Sequence, residues 1–170
     1  GHAIDFVRMH DGCSFQEAVA KLLGGEQGQT FRSASERNAE PQKLFALPLP
    51  HHNMRRVYAY LMKQRHIDRD IITHFARAGT LYEDAKYHNA VFIGKDEHGV
   101  VRHAHKRSTS DMGKTFRINV ESSDPRYSFH WNGTSDRLYV FEAPIDLLSF
   151  LTLYPKDWQQ HSYVALCGVG

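Results

Sequence analysis

The chain has 170 residues, of which 41% are hydrophobic and 24% charged, and this composition excludes a wholly disordered polypeptide. No apolar run reaches the ~18 residues of a membrane span and no secretion signal is evident, so we expect a cytoplasmic protein without a membrane partner. The net charge of +2 permits nucleic-acid binding without indicating it, because such binding needs a local basic patch.

Two helices are predicted before residue 25. Residues 2–9 have a short helical pattern, and Ser14 with Glu17 has the spacing of a capping box. The second helix carries one apolar face, made of Phe15, Ala18, Val19, Leu22 and Leu23. Gly24 and Gly25 are expected to end it.

A linker is predicted over residues 26–50, which lose all hydrophobic periodicity and close with several prolines. After it, Asn53 is expected to cap a helix that runs to about Gln64. Asp68 is expected to cap a second helix that stops at Gly79. We interpret the two as a packed helical pair rather than a DNA-binding helix-turn-helix, because the fold of such a pair does not by itself imply a function.

An antiparallel β part follows. Residues 91–93 and 100–106 alternate or run apolar around the turn sequence at 96–99, which is typical of a hairpin. The alternation of Phe116, Ile118 and Val120 predicts a third strand with one buried face.

The last segment has the pattern of a βαβ unit. The apolar run 138–141 predicts a strand covered on both sides, and Pro144 suits the first turn of a helix that reaches about Tyr154. A further strand is predicted at 163–166, parallel to the first. The predicted class is therefore α/β: helices, a small antiparallel β part, and then an opening βαβ.

Glu142 and Asp146 are the residues that carry a chemical prediction. Glu142 falls at the carboxyl end of a predicted parallel strand, where open sheets bind ligands, and Asp146 lies in the first turn of the next helix. Two such carboxylates suit Mg²⁺ together with phosphate oxygens. Stabilisation of the helix N-terminus by the two acids is the alternative.

The sequence VFEAPIDLLSF at 140–150 resembles the first motif of Toprim domains, whose core in bacterial primases is Glu-Gly-x-x-Asp after an apolar strand. Ala143 stands where primases usually have Gly. The sequence ALCGVG at 165–170 resembles the following Toprim strand. The first 24 residues, GHAIDFVRMHDGCSFQEAVAKLLG, are similar to the stretch that follows the Cys-His-Cys-Cys zinc ribbon of primases.

This resemblance implies a DNA-primase-like protein of the mobile-element type. Residues 1–25 would be the tail of the zinc-ribbon region, 26–50 a linker, 51–136 the uncharacterised middle module of such proteins, and 137–170 the opening of a Toprim domain. Zinc ligands are expected before residue 1. The expected partners are DNA, nucleotides, and a helicase or other replication protein.

The resemblance also implies roles for the acids. Toprim domains hold Mg²⁺ with a Glu and an Asp-x-Asp pair for phosphoryl transfer; Glu142 and Asp146 match the first motif, and the pair is expected after Gly170. The chain alone is then expected to be inactive, because half of the ligands cannot form a two-metal site. A Toprim nickase or topoisomerase-like enzyme and a non-catalytic DNA-binding or replisome-docking module remain open.

Basic residues precede the acidic motif, where primases handle nucleotide phosphates and template. The candidates for phosphate or nucleic-acid binding are Arg102, Lys106, Arg107, Lys114 and Arg126. Nearby aromatic residues, Tyr127, Phe129 and Trp131, would stack on bases if exposed. Charges on the outer face of a strand with aromatics inward are the ordinary alternative.

Histidine pairs occur at His51–His52 and at His103 and His105, which share one strand face. Such pairs can ligate zinc, but with 12 histidines in the chain, chance spacing is the simpler interpretation.

Overall fold

The structure is a computed structural model that describes residues 3–22, 44–110 and 115–168. The chain divides into two compact units, Gly1–Pro41 and Gln42–Gly170. Helices and both antiparallel and parallel strands are present, so the predicted mixed α/β class is confirmed. Within the described ranges no helix combines the length and apolarity that crossing a bilayer requires.

The first unit contains α1, Ala3–Asp11, and α2, Phe15–Leu22. The capping box is confirmed: the Ser14 backbone N–H donates to Glu17 Oε2 at 2.8 Å, and the Glu17 N–H donates to Ser14 Oγ at 3.3 Å. The predicted stop at Gly24–Gly25 and residues 26–43 of the predicted linker lie outside the described residues.

The second unit opens with the predicted helical pair. Helix α3, Arg55–Ala59, continues as a π-helix, Tyr60–Gln64, and α4 spans Arg69–Arg77. Asp68 caps α4 as predicted, accepting from the N–H groups of two residues in its first turn. The α3 cap position is Met54, one residue beyond the predicted Asn53, whose side chain instead accepts from the Arg55 N–H at 3.0 Å.

A four-stranded antiparallel sheet follows, in the order β1 (Leu81–Glu83), β2 (Ala90–Lys95), β3 (Val101–Arg107) and β4 (Arg117–Asn119). The predicted β2–β3 hairpin is confirmed. The predicted buried face of the third strand is wrong: Phe116 is 40% and Ile118 is 54% exposed. Strand β4 forms the edge of the sheet, where its alternating side chains are only partly covered.

The second sheet has the order β5 (His130–Trp131), β7 (Ser162–Ala165) and β6 (Leu138–Phe141). Strands β6 and β7 are parallel and connected through α5, Pro144–Leu153, which confirms the predicted βαβ unit. The prediction that β6 is covered on both sides is wrong, because Leu138 is 61% and Val140 is 54% exposed. Helix α5 packs over the other face, where Tyr139 and Phe141 contact Phe150.

One hydrophobic core connects the helical pair, the first sheet and the βαβ unit. Its largest fully buried members include Phe75, Phe92, Phe129, Leu148 and Tyr163. Strand β2 also touches the 3₁₀ turn Pro125–Tyr127 so closely that a Cβ on Gly94 would overlap the Tyr127 carbonyl oxygen. Residues 51–136 and 137–170 therefore contribute to the same core.

Candidate functional site

Glu142 lies directly after β6, at the carboxyl end of the parallel pair. Its carbonyl oxygen accepts from the Cys167 backbone N–H at 3.0 Å, so the backbone at this point is fixed against the end of β7. The Glu142 side chain is 65% exposed, and its Oε1 lies 3.3 Å from a terminal amino nitrogen of Arg117. The carboxylate thus faces solvent beside one cation.

Asp146 lies in the first turn of α5, at the same edge of the sheet. It lines a depression of about 160 Å³, here called the arginine depression. Glu142 lines a neighbouring depression of about 300 Å³, here called the Glu142 depression. His105, Arg117 and Ala143 line both. The two acids therefore occupy adjoining depressions that share one wall.

Three arginines surround the arginine depression: Arg65, Arg107 and Arg117. Arg65 and Arg107 both donate from Nε to the hydroxyl oxygen of Tyr60, at 2.9 and 3.0 Å. Tyr60 is 4% exposed, so its ring is a fixed support. Among the described residues, Arg65 and Arg107 bond only through Nε, so their terminal amino groups remain as donors. Arginine forks of this kind bind phosphate.

His105 lies in the wall that the two depressions share. It is 4% exposed, and its Nδ1 lies 2.7 Å from the side-chain oxygen of Asn119. Burial lowers the pKa of His105 below its ordinary value, with Asn119 acting in the opposite direction. His103, on the same strand face, is 1% exposed, and burial lowers its pKa to about 4. The two rings are neutral core residues at neutral pH.

The predicted basic residues separate into different environments. Arg107 lines the arginine depression. Arg102 instead bonds Asp96 at 2.8 Å within the β2–β3 hairpin, and Arg126 forms a forked pair with Asp124. Lys114 lies outside the described residues.

Lys106 belongs to the opposite face of β3 from Arg107, because side chains alternate along a strand. It lines an apolar groove of about 1100 Å³, together with the partly exposed Ile118 and the leucines of segment 44–49. Lys106 is therefore not part of the arginine depression.

The predicted stacking residues are mostly engaged in packing. Phe129 is fully buried, which overturns a role in base stacking for that ring. Trp131 packs edge-on against His74, and its Nε1 donates to the Gln159 carbonyl oxygen at 3.1 Å. The half-buried Tyr127 lies under the Arg126 guanidinium.

Arg65 and Tyr60 are the members of the site that sequence reasoning did not select. Arg65 stood only in the joint between two predicted helices, and Tyr60 was one aromatic residue among many. Arg117 was recognisable only as one of several basic strand residues. No local pattern marks these three, because their proximity depends on how the helical pair packs beside β3 and β4.

Comparison with known proteins adds a family likeness. The family described as "Protein of unknown function (DUF3991)" matches residues 59–135, which fall within the predicted middle module. Over 99% of its length the chain is 28% identical to the uncharacterized protein pXO2-78 of Bacillus anthracis, of which it covers 51%. The chain thus spans about half the length of this curated relative. No solved structure matches it.

Proposed function

We propose that the two adjoining depressions bind the phosphate groups of DNA or a nucleotide, and that Glu142 and Asp146 are acids of a Mg²⁺-dependent phosphoryl-transfer site of the Toprim type. The observation that carries the proposal is the meeting of these acids with three arginines at the carboxyl end of a parallel β pair.

The donor set has the chemistry that magnesium requires. Carboxylate oxygens on Glu142 and Asp146 are hard ligands, and Mg²⁺ commonly takes one or two of these with water and phosphate oxygens. Bound there, the ion would neutralise charge on the phosphoryl group. The arginines would bind and orient the remaining phosphate oxygens.

The wider activity follows the resemblance to primases. In a longer protein that also carries an Asp-x-Asp segment after this chain, we expect template-dependent RNA primer synthesis that needs Mg²⁺. Replication of a plasmid or other mobile element is the corresponding role, with a zinc ribbon upstream.

A non-catalytic DNA-binding or docking module is the second candidate. It is favoured by the Arg117–Glu142 ion pair at 3.3 Å, because an acid already paired with a cation is a poorer metal ligand. Under this alternative, DNA affinity falls with salt and is indifferent to Mg²⁺ and to Glu142.

The test is fluorescence anisotropy of a short labelled single strand, and of a labelled nucleotide, with and without Mg²⁺. We expect Mg²⁺ to strengthen binding to the wild-type chain and Glu142→Gln to abolish that increment. Glu97→Gln is the matched control, because Glu97 is 70% exposed in the β2–β3 turn. Equal Mg²⁺ responses in both variants would favour the non-catalytic module, and no binding of either ligand would overturn both candidates.

A further inference from the structure

A cluster of two imidazoles and a carboxylate lies outside the set of residues that line the two depressions. His51, Glu83 and His88 each offer a ligand atom, and these atoms all lie within 4.8 Å of one another. The three residues come from separate segments: the approach to α3, the end of β1, and the loop between β1 and β2. Their meeting is a product of the tertiary fold.

Glu83 is the buried centre of the cluster, 1% exposed. Its Oε2 accepts from the backbone N–H groups of Arg56 and Val57, at 3.0 and 3.2 Å. The other oxygen, Oε1, lies 2.6 Å from His88 Nδ1 and 3.8 Å from His51 Nδ1. One carboxylate oxygen is thus fixed by the helix while the other faces two imidazoles.

The backbone holds both histidines in place. The His51 backbone N–H donates to the Glu83 carbonyl oxygen at 2.7 Å. The ring atom Nδ1 of His51 lies 3.1 Å from the Asn53 carbonyl oxygen. His88 has a left-handed backbone with φ of 59°, and its backbone N–H donates to the Asp84 carbonyl oxygen at 3.1 Å.

We propose that His51, Glu83 and His88 bind a zinc ion. Two imidazoles and one carboxylate with a water as fourth ligand are a recurrent zinc set. Zinc entering between Glu83 and His88 takes the place of the proton in their 2.6 Å hydrogen bond, and that proton leaves to solvent. The ion would connect the segment before α3, strand β1 and the β1–β2 loop.

Access to the cluster is consistent with reversible loading. The His51 and His88 side chains are 20% and 26% exposed, while the carboxylate behind them is enclosed. A zinc ion can therefore reach the two histidines from solvent and bind a carboxylate that is shielded from water.

The test is zinc titration of the full 170-residue chain in competition with a chromophoric chelator, with His88→Asn as the main variant. Asn tolerates the left-handed backbone, so the substitution removes the imidazole without adding strain. The control is His66→Asn, because His66 is exposed and has a similar φ of 55°. His51→Asn tests the second imidazole.

We expect one tightly bound zinc per wild-type chain and a zinc-dependent rise in Tm. His88→Asn and His51→Asn should weaken zinc binding by more than the ~10–100-fold typical of losing an outer partner, while His66→Asn should behave as wild type. Equal zinc affinity and equal Tm shifts in all four proteins would overturn the proposal.

Cobalt substitution of the wild-type chain gives a readout that does not depend on how the variants fold. Four-coordinate Co²⁺ at this set should produce intense visible d–d bands that zinc displaces. A spectrum no stronger than that of Co²⁺ in buffer would show that the three residues form a hydrogen-bonded cluster without a metal, and would also overturn the proposal.

Discussion

Arg65 and Arg107 are held side by side because both guanidinium groups donate to the single phenol oxygen of Tyr60. Two like charges in proximity are unfavourable, and the shared acceptor offsets part of that repulsion while fixing both forks beside Asp146. An anion entering the arginine depression therefore meets two donors whose positions are already set.

Replacing Tyr60 with Phe should weaken phosphate binding while keeping the buried ring. Loss of the acceptor frees both arginines, and one net hydrogen bond of ~1 kcal/mol corresponds to roughly fivefold in affinity. Nucleotide binding by anisotropy measures the effect. Tyr58→Phe is the matched control, since the Tyr58 hydroxyl lies 2.9 Å from Thr73 Oγ1 and does not line the depression. Equal losses in both variants would contradict the proposed role of Tyr60.

Arg107→Gln and Arg102→Gln should separate binding from stability. Arg107 lines the depression, so its loss should weaken DNA binding and lower the slope of log affinity against log salt by about one. Arg102 bonds the Asp96 carboxylate in the hairpin and holds the pKa of Asp96 below its ordinary value. Loss of Arg102 should leave the salt slope unchanged. If Arg102→Gln lowered the slope and Arg107→Gln did not, the arginine depression would not be a DNA-binding site.

Gly94→Ala should destabilise the second unit. The added methyl overlaps the Tyr127 carbonyl oxygen, and strain of this kind costs about 1–3 kcal/mol or more. Urea denaturation followed by tryptophan fluorescence measures it. Gly99→Asn is the control: its site is open, and Asn tolerates its left-handed φ of 77°. A Gly94→Ala chain as stable as the control would mean that β2 and the turn separate readily.

Stability should fall as the pH drops from about 6.5 towards about 4, because burial holds the pKa of His103 near the lower value. As the pH falls, the unfolded chain binds a proton on His103 before the folded chain does. The contribution of His103 to the free energy of unfolding is therefore complete above about pH 6.5 and declines as the pH falls towards about 4. Asp124, which attracts the proton to His103, has its own pKa held at about 2 by Arg126 and stays ionised throughout.

The measurement is urea denaturation at pH 7.5 and pH 5. His103→Leu should show a smaller difference between the two, while His98→Asn, a change at a 78% exposed site, should keep the full difference. An unchanged difference in His103→Leu would assign the effect to other groups.

The sequence predicts those parts of the fold whose causes are local. The Ser14–Glu17 box and the Asp68 cap are interactions between neighbours in the chain, and the β2–β3 turn carries its own signal in Asp96 and Gly99. The parallel pairing of β6 and β7 follows from the handed connection through α5.

Burial and the composition of the site depend on packing between distant segments. An apolar run such as 138–141 fits a strand covered on one side or on two, and only the placement of α5 decides which. Glu142 could be located from its strand, but Arg65 reaches the same edge only through the packing of the helical pair. The cluster at Glu83 likewise joins three segments that no spacing rule connects.

The π-helix over Tyr60–Gln64 sets the direction of the Arg65 side chain relative to that of Tyr60. In an α-helix with 3.6 residues per turn, residues five apart point about 140° away from each other, whereas a π turn, closed by a hydrogen bond from the fifth residue, brings them closer to one side of the helix. If the same residues formed an α-helix, Arg65 would point away from the hydroxyl that it shares with Arg107. The wide turn thus acts as a spacer that aligns the two cations.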